Sequence, residues 1–496
     1  MRLIELIDRD ATAIGGDTRI TGITSDSRAV RPGMLFAAIP GTVRDGRDFI
    51  PEAVAAGAVA VLAPTGTVVP AGVALVETGE VRGALARMAS RFYPKRPGVI
   101  AAATGTNGKS SVVAFTRQIW VRLGLAAASL GTLGYDGPGD LAAPGLTTVD
   151  PVALHRLLDQ AARAGVGHLA MEASSHGLDQ HRLDGIAPVA VAFTNLTHDH
   201  LDYHGTIEAY RDAKLKLFAE IAAPAGYAVI NADSSHYDHF VRAALKRPLA
   251  VIDYGRKARV LRLVSVEPMA GGGLHVAIEY RGQRHEFGLG LTGSFQAHNV
   301  LAAMGLAIGC GASPEAVVAA LPYLKAVPGR MEQVGTSAAG APVLVDYAHT
   351  PDALETVLKA VRPHAHDRVV TVFGCGGDRD RTKRPAMGRI ALREADHAIV
   401  TDDNPRSEDP AAIRAEILAA GPGLVEIGDR AAAIDAAIAG LGAGDVLVIA
   451  GKGHETGQKI GDRVLPFDDR EVARAALRSH SGTVIGGGTV IGGGAA

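Results

Sequence analysis

Residues 103–111 read Ala103-Thr104-Gly105-Thr106-Asn107-Gly108-Lys109-Ser110-Ser111. A strand-like run at Val99–Ala103 leads into this segment, and a helix-like run at Ser110–Leu123 follows it. Glycines between a strand and a helix are typical of a phosphate-binding loop, because backbone N–H groups and the helix N-terminus can then face the phosphates. In such a loop Lys109 reaches the outer phosphates and the Ser110 hydroxyl can hold Mg²⁺. The segment predicts nucleotide binding, with an ordinary glycine-rich turn as the alternative.

The same pairing of β-branched runs with Ala- and Leu-rich helical runs recurs along the chain and predicts α/β layers. A length of 496 residues favours two or three domains. Proline and glycine interrupt the pattern near Tyr93–Gly98 and near Val327–Arg330. These breaks predict domains at residues 1–97, 98–329 and 330–480. Residues 481–496 repeat a glycine-rich motif, which predicts a disordered tail.

Composition excludes several classes of partner. The formal net charge is -2 and 21% of residues are charged, so we expect neither nucleic-acid binding nor membrane insertion. Charges interrupt the first ten residues, and no run reaches the roughly 20 apolar residues of a membrane span. Cys310 and Cys375 lie far apart and predict two small buried side chains in a reducing compartment. A cytoplasmic protein that acts on small molecules as a monomer is expected.

Two segments downstream concentrate polar groups. Glu172 ends an apolar run in Met171-Glu172-Ala173-Ser174-Ser175-His176-Gly177, where a strand could deliver ligands to a site. Taken alone, the pattern favours a solvated Glu172. The second segment, Asn195–Gly205, holds His198, His200 and His204 among carboxylates. This density permits zinc, but solvated loop histidines are the simpler interpretation because no cysteine lies nearby.

The run Thr206–Ile221 predicts a helix whose periodicity separates two lysines. Lys216 falls on a charged stripe and is expected at the surface. Lys214 shares a face with Tyr210, so its stem points toward the core, where an unpaired ammonium is costly. It needs a partner or a modification, although a lysine that snorkels past apolar neighbours would give the same pattern.

These segments, taken in order with later ones, resemble the Mur ligase superfamily. The later segments are Gly293–Asn299, Pro328–Glu332, Val345–Asp352, Phe373–Asp380, Asp402–Arg406 and Gly451–Glu455. The match covers about Ser25 to the late 460s. Within the superfamily, the pattern is closest to the members that add meso-2,6-diaminopimelate as the third residue of the peptidoglycan peptide.

The resemblance implies a three-domain α/β fold. Its N-terminal domain would bind the uridine nucleotide, its central domain would be P-loop ATPase-like with a parallel sheet, and its C-terminal domain would be Rossmann-like and bind the amino acid. It also implies two Mg²⁺ ions, with Ser110, Glu172, His200 and Lys214 as ligands. Lys214 would be carbamylated by CO₂ to N6-carboxylysine, which turns a buried cation into an anion. Lys109, Glu172, His200 and Lys214 would be the catalytic residues.

The resemblance further implies three sets of substrate contacts. ATP would contact Gly105, Thr106, Asn107, Gly108, Lys109, Ser110, Ser111, Asn299, Arg330 and His349. UDP-N-acetylmuramoyl-L-alanyl-D-glutamate would contact Ser25, Ser27, Thr42, Val43, Arg44, Thr147, Thr148, Ser174, Gln180 and Arg182. Diaminopimelate would contact Arg379, Asp403, Asn404, Pro405, Arg406, Gly451 and Glu455. Taken alone, Asn404-Pro405 could be a surface turn.

The implied reaction is ATP-dependent ligation through an acyl-phosphate. An L-lysine-adding sister ligase and a folylpolyglutamate synthase-like ligase are alternatives, against which Asp403-Asn404-Pro405-Arg406 argues. A nucleotide-binding regulatory protein without turnover is a third alternative. The presence of Lys109, Glu172, His200 and Lys214 argues against it.

Overall fold

The computed structural model describes residues 1–8, 11–41, 44–142, 147–269 and 272–485. Residues 1–97 contain helix α1 (Leu3–Leu6), strands β1 (Thr12–Ile14), β2 (Gly22–Thr24) and β3 (Met34–Ala37), helix α2 (Ile50–Ala55), strands β4 (Ala60–Pro64) and β5 (Ala74–Thr78), and helix α3 (Val81–Phe92). Residues 98–329 contain β6 (Val99–Thr104), α4 (Lys109–Arg122), β7 (Ala127–Gly131), β8 (Gly134–Asp136), α5 (Pro151–Arg163), β9 (His168–Glu172), α6 (Ser175–Asp179), β10 (Ala190–Phe193), α7 (Leu201–His204), α8 (Ile207–Lys216), β11 (Tyr227–Asn231), α9 (Tyr237–Lys246), β12 (Ala250–Gly255), β13 (Leu261–Pro268), β14 (Leu274–Tyr280), β15 (Gln283–Leu289), α10 (Gln296–Gly309) and α11 (Pro314–Ala320). Residues 330–485 contain β16 (Glu332–Thr336), β17 (Pro342–Asp346), α12 (Pro351–Val361), β18 (Val369–Phe373), α13 (Lys383–Glu394), β19 (His397–Val400), α14 (Pro410–Leu418), β20 (Leu424–Glu426), α15 (Arg430–Ala439), β21 (Val446–Ala450), β22 (Gly457–Ile460), β23 (Arg463–Pro466), α16 (Asp469–Ser479) and β24 (Thr483–Val484).

The described residues form two compact units. Unit 1 comprises Met1–Leu196, Glu208–Tyr254 and Ala302–Val317. Unit 2 comprises Thr197–Ile207, Gly255–Leu301 and the described residues from Val318 onward.

Unit 1 contains two sheets. The first has the order β1-β5-β4-β3-β2 and is parallel except for β1. Its strands are covered on both faces, since Leu35 packs with α1 and α3 while its neighbour Phe36 packs with α2. The second runs β12-β11-β10-β6-β9-β7-β8 within this unit, and all of its strands except β8 are parallel. The phosphate-loop segment therefore follows a central strand, β6.

Unit 2 contains the antiparallel strands β13, β14 and β15 and a sheet with the order β20-β19-β18-β21-β17-β16-β24. Strands β20, β19, β18, β21 and β17 of that sheet are parallel. Apolar clusters cover both of its faces: Phe373 packs among residues of α12, α13 and α14, and Val372 packs among residues of α15 and α16. The parallel arrangement brings the carboxyl ends of β17, β18, β19 and β21 to one edge, where open α/β sheets form sites.

The predicted α/β fold class is confirmed, because three regions each combine mostly parallel strands with helices. The domain limits 1–97, 98–329 and 330–480 remain a prediction. The predicted start of the disordered tail is wrong: Thr483 and Val484 pair with Thr336 and Gly335 as strand β24. Glycine composition could not reveal this partner, which lies far away in the sequence. Residues 486–496 of the predicted tail lie outside the described residues.

Candidate functional site

The phosphate-loop segment of unit 1 has a backbone that requires its glycines. Gly105 and Gly108 have φ angles of +149° and +87°, in the left-handed region that side chains disfavour. A Cβ at Gly105 would also overlap the hydroxyl of Thr194. Helix α4 begins immediately afterwards at Lys109, and the N–H groups of its first turn cannot be paired within the helix. The segment thus has the strand, turn and helix N-terminus that an anion site needs.

Asn195, which sequence reasoning did not single out, holds the loop in place. Its carbonyl accepts the N–H of Thr106 at 2.8 Å, and its Oδ1 accepts the N–H of Asn107 at 2.9 Å. Thr194 donates its hydroxyl to the Asn107 carbonyl at 2.6 Å. The loop N–H groups of Thr106 and Asn107 therefore face protein acceptors, contrary to the expectation that they face phosphates. The residues that follow β10 could have been suspected, because β10 neighbours β6 in the sheet.

Lys109 and Lys214 meet at the Gly105 carbonyl. Lys109 Nζ donates to the carbonyls of Gly105 at 2.9 Å and Thr106 at 2.8 Å. Lys214 Nζ donates to the Gly105 carbonyl at 2.9 Å and lies 4.3 Å from the ring centroid of Tyr210. The Tyr210 hydroxyl in turn lies 3.2 Å from Thr106 Oγ1. Helix α8 therefore delivers a second cation to the phosphate loop.

The predicted helix over Thr206–Ile221 exists as α8 followed by a π-helical turn at Leu217–Ile221. The predicted orientation of Lys214 is confirmed, because the side chain is only 1% exposed. Lys216 differs from the expected surface lysine: it is half-buried and forms an ion pair with Asp179 at 3.2 Å. The partner comes from a different helix, so periodicity within α8 could not predict it.

Glu172 is buried at the carboxyl end of β9, so the solvated interpretation is wrong. Its side-chain oxygens accept the N–H of Thr132 at 2.8 Å and the Thr132 hydroxyl at 3.1 Å. Gly131 makes room for the carboxylate, because a Cβ there would overlap it. Glu172 pairs with Ala103 across the sheet and so stands beside the strand that enters the phosphate loop. Thr132 was missed, although it directly follows strand β7, at the end of the sheet where sites form.

Five residues predicted to contact the nucleotide precursor form a hydrogen-bond network around Glu172. Thr147 joins Thr132 through their hydroxyls at 3.0 Å. Thr148 Oγ1 accepts the Ser174 hydroxyl at 3.0 Å, and the Thr148 carbonyl accepts Arg182 Nη1 at 2.6 Å. Arg182 Nη2 donates to Gln180 Oε1 at 2.7 Å. The network presents hydroxyl, amide and guanidinium groups beside a buried carboxylate.

The other predicted precursor contacts lie in the first sheet region. Ser25 follows β2, and Ser27 begins a 3₁₀ turn, Ser27–Ala29, whose start is capped by Asp26. The Ser27 hydroxyl donates to Glu52 at 3.4 Å. Arg44 is exposed, whereas Thr42 and Val43 lie outside the described residues. These serines sit at the carboxyl end of a parallel strand, as expected for a binding turn.

The histidine cluster belongs to unit 2. His200 directly precedes α7 and has a φ angle of +55°, and its Nε2 lies 3.4 Å from Asp199. His198 Nε2 lies 3.9 Å from Asp380. In the described part of the chain, no group of three or more His, Cys, Asp or Glu side chains could hold a metal ion. The zinc interpretation therefore has no support from the described residues.

The residues predicted to contact ATP in unit 2 lie on α10 and around β17. Asn299 is buried and donates Nδ2 to Gln296 Oε1 at 2.9 Å. The Arg330 guanidinium lies 4.3 Å from the ring centroid of Tyr347. His349 Nδ1 lies 2.8 Å from the Tyr347 carbonyl, so Nδ1 carries the proton of this bond. Burial lowers the pKa of His349, and the neighbouring Lys383 lowers it further.

Asp346 anchors this region. It is buried at the end of β17, and its Oδ2 accepts the N–H of Met331 at 2.7 Å. Met331 adopts a φ angle of +49°, so the carboxylate fixes an unfavourable turn directly after Arg330. Burial raises the pKa of Asp346 to about 6, although Arg330 and the N–H groups of Met331 and Ala348 act in the opposite direction.

This pKa predicts a pH-dependent difference in stability between the native protein and Asp346→Asn. The folded-state pKa lies above the unfolded value, so the stability from protonated Asp346 is complete below about pH 4 and is lost as the pH rises through about 6. The variant should become more stable relative to native by about 3 kcal/mol over that window. Melting temperatures of both proteins from pH 4 to 7 test this. A difference that stays constant with pH would contradict the assigned titration.

The residues predicted to bind the amino acid come from two neighbouring strand ends in unit 2. Asp403, Asn404 and Pro405 follow β19 and are buried, so the surface-turn interpretation is wrong. Asn404 Nδ2 donates to Glu455 Oε2 at 2.8 Å, which joins this segment to the one that follows β21. Gly451 has a φ angle of +116°, and a Cβ there would lie 2.9 Å from Asp403 Oδ2.

Arg406 has a strained backbone that the strand β22 holds in place. Its φ angle is +53°, and its N–H donates to the Lys459 carbonyl at 3.0 Å. Its Nη1 donates to the Gly377 carbonyl at 2.7 Å. Arg379 is exposed, and within the described ranges no hydrogen bond or ion pair joins it to the other residues predicted to bind the amino acid. The structure therefore joins Asn404 and Glu455 directly and fixes Arg406 beside β22.

Lys452 was also missed. It is fully buried within the same Gly451–Glu455 segment, and its Nζ lies 3.0 Å from Glu455 Oε2. A lysine between two glycines, three residues before a glutamate, was a signal that could have been followed.

Three family models match the chain. They are the Mur ligase family catalytic domain at residues 19–93, the Mur ligase middle domain at 103–307 and the Mur ligase glutamate ligase domain at 329–453. Over the described ranges, no helix is long and apolar enough to cross a membrane.

Curated relatives match over almost the full length. A protein of Bradyrhizobium diazoefficiens named UDP-N-acetylmuramoyl-L-alanyl-D-glutamate--2,6-diaminopimelate ligase is 52% identical, over 97% of this chain and 99% of its own. A protein of Caulobacter vibrioides with the same name is 51% identical, over 96% and 98%. A solved structure with that name is 35% identical, with a TM-score of 0.67 over 93% of this chain and 95% of its own. The MurF ligase of Thermotoga maritima in complex with ADP, 19% identical, shares the fold with a TM-score of 0.60 over 93% and 97%.

Proposed function

Because the chain belongs to the Mur ligase family, we propose that it joins meso-2,6-diaminopimelate to UDP-N-acetylmuramoyl-L-alanyl-D-glutamate with ATP. The product is the nucleotide-linked tripeptide of peptidoglycan synthesis. Relatives of that name cover nearly the whole chain at about half identity. The observation that carries the choice of amino acid is the pairing of Asn404 with Glu455 next to Arg406, which offers a zwitterionic group both an anion and a cation.

The proposed chemistry has two steps. A carboxylate oxygen of the D-glutamyl residue attacks the γ-phosphorus of ATP, which forms an acyl-phosphate and releases ADP. The amino group of diaminopimelate then attacks the acyl carbon, the amide bond forms, phosphate leaves and the amine loses a proton. No protein nucleophile is needed, so the chain contributes positioning and electrostatic stabilisation. Lys109, within the glycine loop, is the proposed cation for the outer phosphates.

The donors in unit 1 suit Mg²⁺. Glu172 is a buried carboxylate on the strand beside β6, and Ser110 is a buried hydroxyl in the first turn of α4. We propose Ser110, Glu172 and Lys214 as protein ligands of two ions in this unit, and the role of His200, a residue of unit 2, stays a prediction. Mg²⁺ keeps waters and binds substrate phosphates, so a ready-made cluster of protein side chains is not required. When bound, the ions neutralise charge on the phosphates.

Lys214 is proposed to carry a carbamate. The amine would add to CO₂ and lose a proton, which gives N6-carboxylysine. As an ammonium, Lys214 is held by the Gly105 carbonyl and the Tyr210 ring. The carbamate would instead present two oxygens at the same loop, and oxygen is the ligand that Mg²⁺ prefers.

Lys214→Ala should lower ligation by roughly 10³-fold, because it removes a charged group that acts on the transferring phosphate. Formate or acetate should restore part of the activity by occupying the carbamate position. If Lys214 acted only as an ammonium that contacts the Gly105 carbonyl, added carboxylate would not restore activity. Rescue therefore distinguishes a carbamate from an ammonium at this position.

Lys216→Ala is the matched control, because it truncates the other lysine of the same helix and removes only the ion pair with Asp179. Its activity should stay within about threefold of native, since ion pairs that remain accessible to solvent contribute little. A fully active native enzyme whose mass shows an unmodified Lys214 would rule out carbamylation.

Roles for the remaining predicted residues belong to the same proposal. Asn299 would face the adenine, and Arg330 and His349 would act near the phosphates. The nucleotide precursor would be held by the hydrogen-bond network around Glu172 and by the turns of the first sheet region, that is, by Thr147, Thr148, Ser174, Gln180, Arg182, Ser25, Ser27 and Arg44.

The proposed working form is a monomer. Cys310 and Cys375 are both free, which fits the cytoplasm as the proposed location.

The deciding experiment is ligation by the purified protein. ADP release is measured with the muramoyl dipeptide nucleotide, ATP and a panel of amino acids that includes diaminopimelate, lysine and glutamate. ADP release that requires diaminopimelate and the nucleotide supports the proposal. A preference for lysine would indicate the sister ligase, and glutamate addition to a folate would indicate the folylpolyglutamate synthase-like alternative. Absence of turnover with every combination would favour the regulatory alternative.

A further inference from the structure

Lys452 is a buried cation whose donors are all engaged. Its side chain is fully buried directly after β21. Nζ donates to Glu455 Oε2 at 3.0 Å, to Asn404 Oδ1 at 3.2 Å and to the Gly457 carbonyl at 2.7 Å. An ammonium has three N–H donors, and these acceptors match them in number. The side chain therefore joins both segments that are proposed to bind the amino acid.

These contacts fix the orientation of the Asn404 amide. Its Oδ1 accepts from Lys452 and from the N–H of Lys459 at 2.9 Å, so the oxygen must face these donors. Nδ2 must then face Glu455, to which it donates at 2.8 Å. Both bonds to Glu455 end on Oε2. Within the described ranges, Oε1 of Glu455 and the second N–H of Asn404 have no hydrogen-bond partner, so an acceptor and a donor remain for a ligand.

The formal charges of four side chains in these two segments, Asp403, Arg406, Lys452 and Glu455, sum to zero. Asp403 and Glu455 are anions, and Arg406 and Lys452 are cations. Arg430, which lies behind them, is paired with Asp469 and adds no net charge. The distal end of diaminopimelate carries one carboxylate and one ammonium and is neutral, whereas the distal end of lysine carries only the ammonium. A site with no net charge suits the distal end of diaminopimelate. A site with one extra negative charge would suit the distal end of lysine.

We propose that Lys452 is a specificity-determining positioning residue, which aims Asn404 and Glu455 and supplies the charge that favours a zwitterionic end over a cationic one. This inference rests on the proposed function. Lys452 acts through Asn404 and Glu455 and is not assigned a contact with substrate. Its removal should therefore change the choice between amino acids more than it changes use of ATP.

The test is Lys452→Met, which keeps the length of the side chain and removes the charge. We expect kcat/KM for diaminopimelate to fall about 100-fold, as for the loss of a hydrogen bond to a charged group with its positioning effect. The value for lysine should fall less than about tenfold, and KM for ATP should stay within about threefold. Equal losses for both amino acids, or an unchanged ratio between them, would overturn the proposal.

Lys459→Met is the matched control. It removes the same charge from an exposed position on β22, and its contact with Asn404 runs through the backbone N–H, which the substitution keeps. Its ratio of kcat/KM values should match native. A control that shifts the ratio as far as Lys452→Met does would show that loss of any nearby cation is sufficient, and this too would overturn the assignment.

A second pair of variants controls for misfolding, because Lys452→Met alone leaves Glu455 without its buried partner. Lys452→Met is also made in Glu455→Gln, where no partner charge remains. Adding it there should lower the diaminopimelate-to-lysine ratio at least tenfold, and an unchanged ratio contradicts the role. Measurements on the native enzyme distinguish failure of the proposed function from failure of the role of Lys452. If the native enzyme does not use diaminopimelate, the proposed function is wrong. If it prefers diaminopimelate over lysine and the variants do not shift that preference, only the role of Lys452 is wrong.

Discussion

Lys109→Ala is expected to reduce ADP formation by roughly 10³-fold or more while the protein stays folded. The substitution removes the cation of the phosphate loop, and one preorganised electrostatic contact to a transferring group commonly contributes that much. The stability cost should be small, because the side chain is only half-buried and its bonds go to two loop carbonyls, Gly105 and Thr106. No core cavity opens.

Activity is measured as ADP released with both substrates present, alongside a melting curve. Lys246→Ala is the control, since that lysine is exposed at the end of α9 in the same unit. The control should match native in both measurements. Turnover of Lys109→Ala near the native level would remove the phosphate-loop assignment, and a large fall in melting temperature would assign Lys109 a structural role instead.

Arg406→Ala should remove most of the preference for diaminopimelate. The native enzyme should favour diaminopimelate over lysine by about 10⁴ in kcat/KM, because lysine would leave a buried polar arrangement without its partner carboxylate. A guanidinium can grip a carboxylate with two parallel hydrogen bonds, so its loss should cost diaminopimelate roughly 10²–10³-fold. Lysine should lose less than about tenfold.

Arg463→Ala is the matched control, because it truncates an exposed arginine on β23, the strand paired with β22. Both amino acids should behave as in the native enzyme. Part of the effect of Arg406→Ala could come from the strained backbone at φ +53°. That contribution would affect both amino acids alike, so the ratio isolates the carboxylate contact. Equal losses, or a native preference for lysine, would refute the assignment.

Local sequence was sufficient to predict those features that a single segment determines. The glycine turn between β6 and α4 and the inward face of Lys214 follow from patterns within about ten residues. The burial of Glu172 does not, because it depends on the space left by Gly131 on another strand. Asn195 and Lys452 were missed for the same reason: each acts through residues that become neighbours only when parallel strands align. The predicted start of the disordered tail was wrong because Thr483 and Val484 pair with β16 despite the glycine-rich composition around them.

Strand β24 has a practical consequence for anyone who shortens the chain. It lies outside β16 as the last strand of its sheet, and the N–H of Ile485 donates to the Val334 carbonyl at 3.0 Å. A truncation after residue 480, which glycine content would recommend, would leave the backbone groups of β16 unpaired along an open edge. Such an edge invites pairing with another molecule and thus aggregation. A stop codon placed after Ile485 would keep that edge covered.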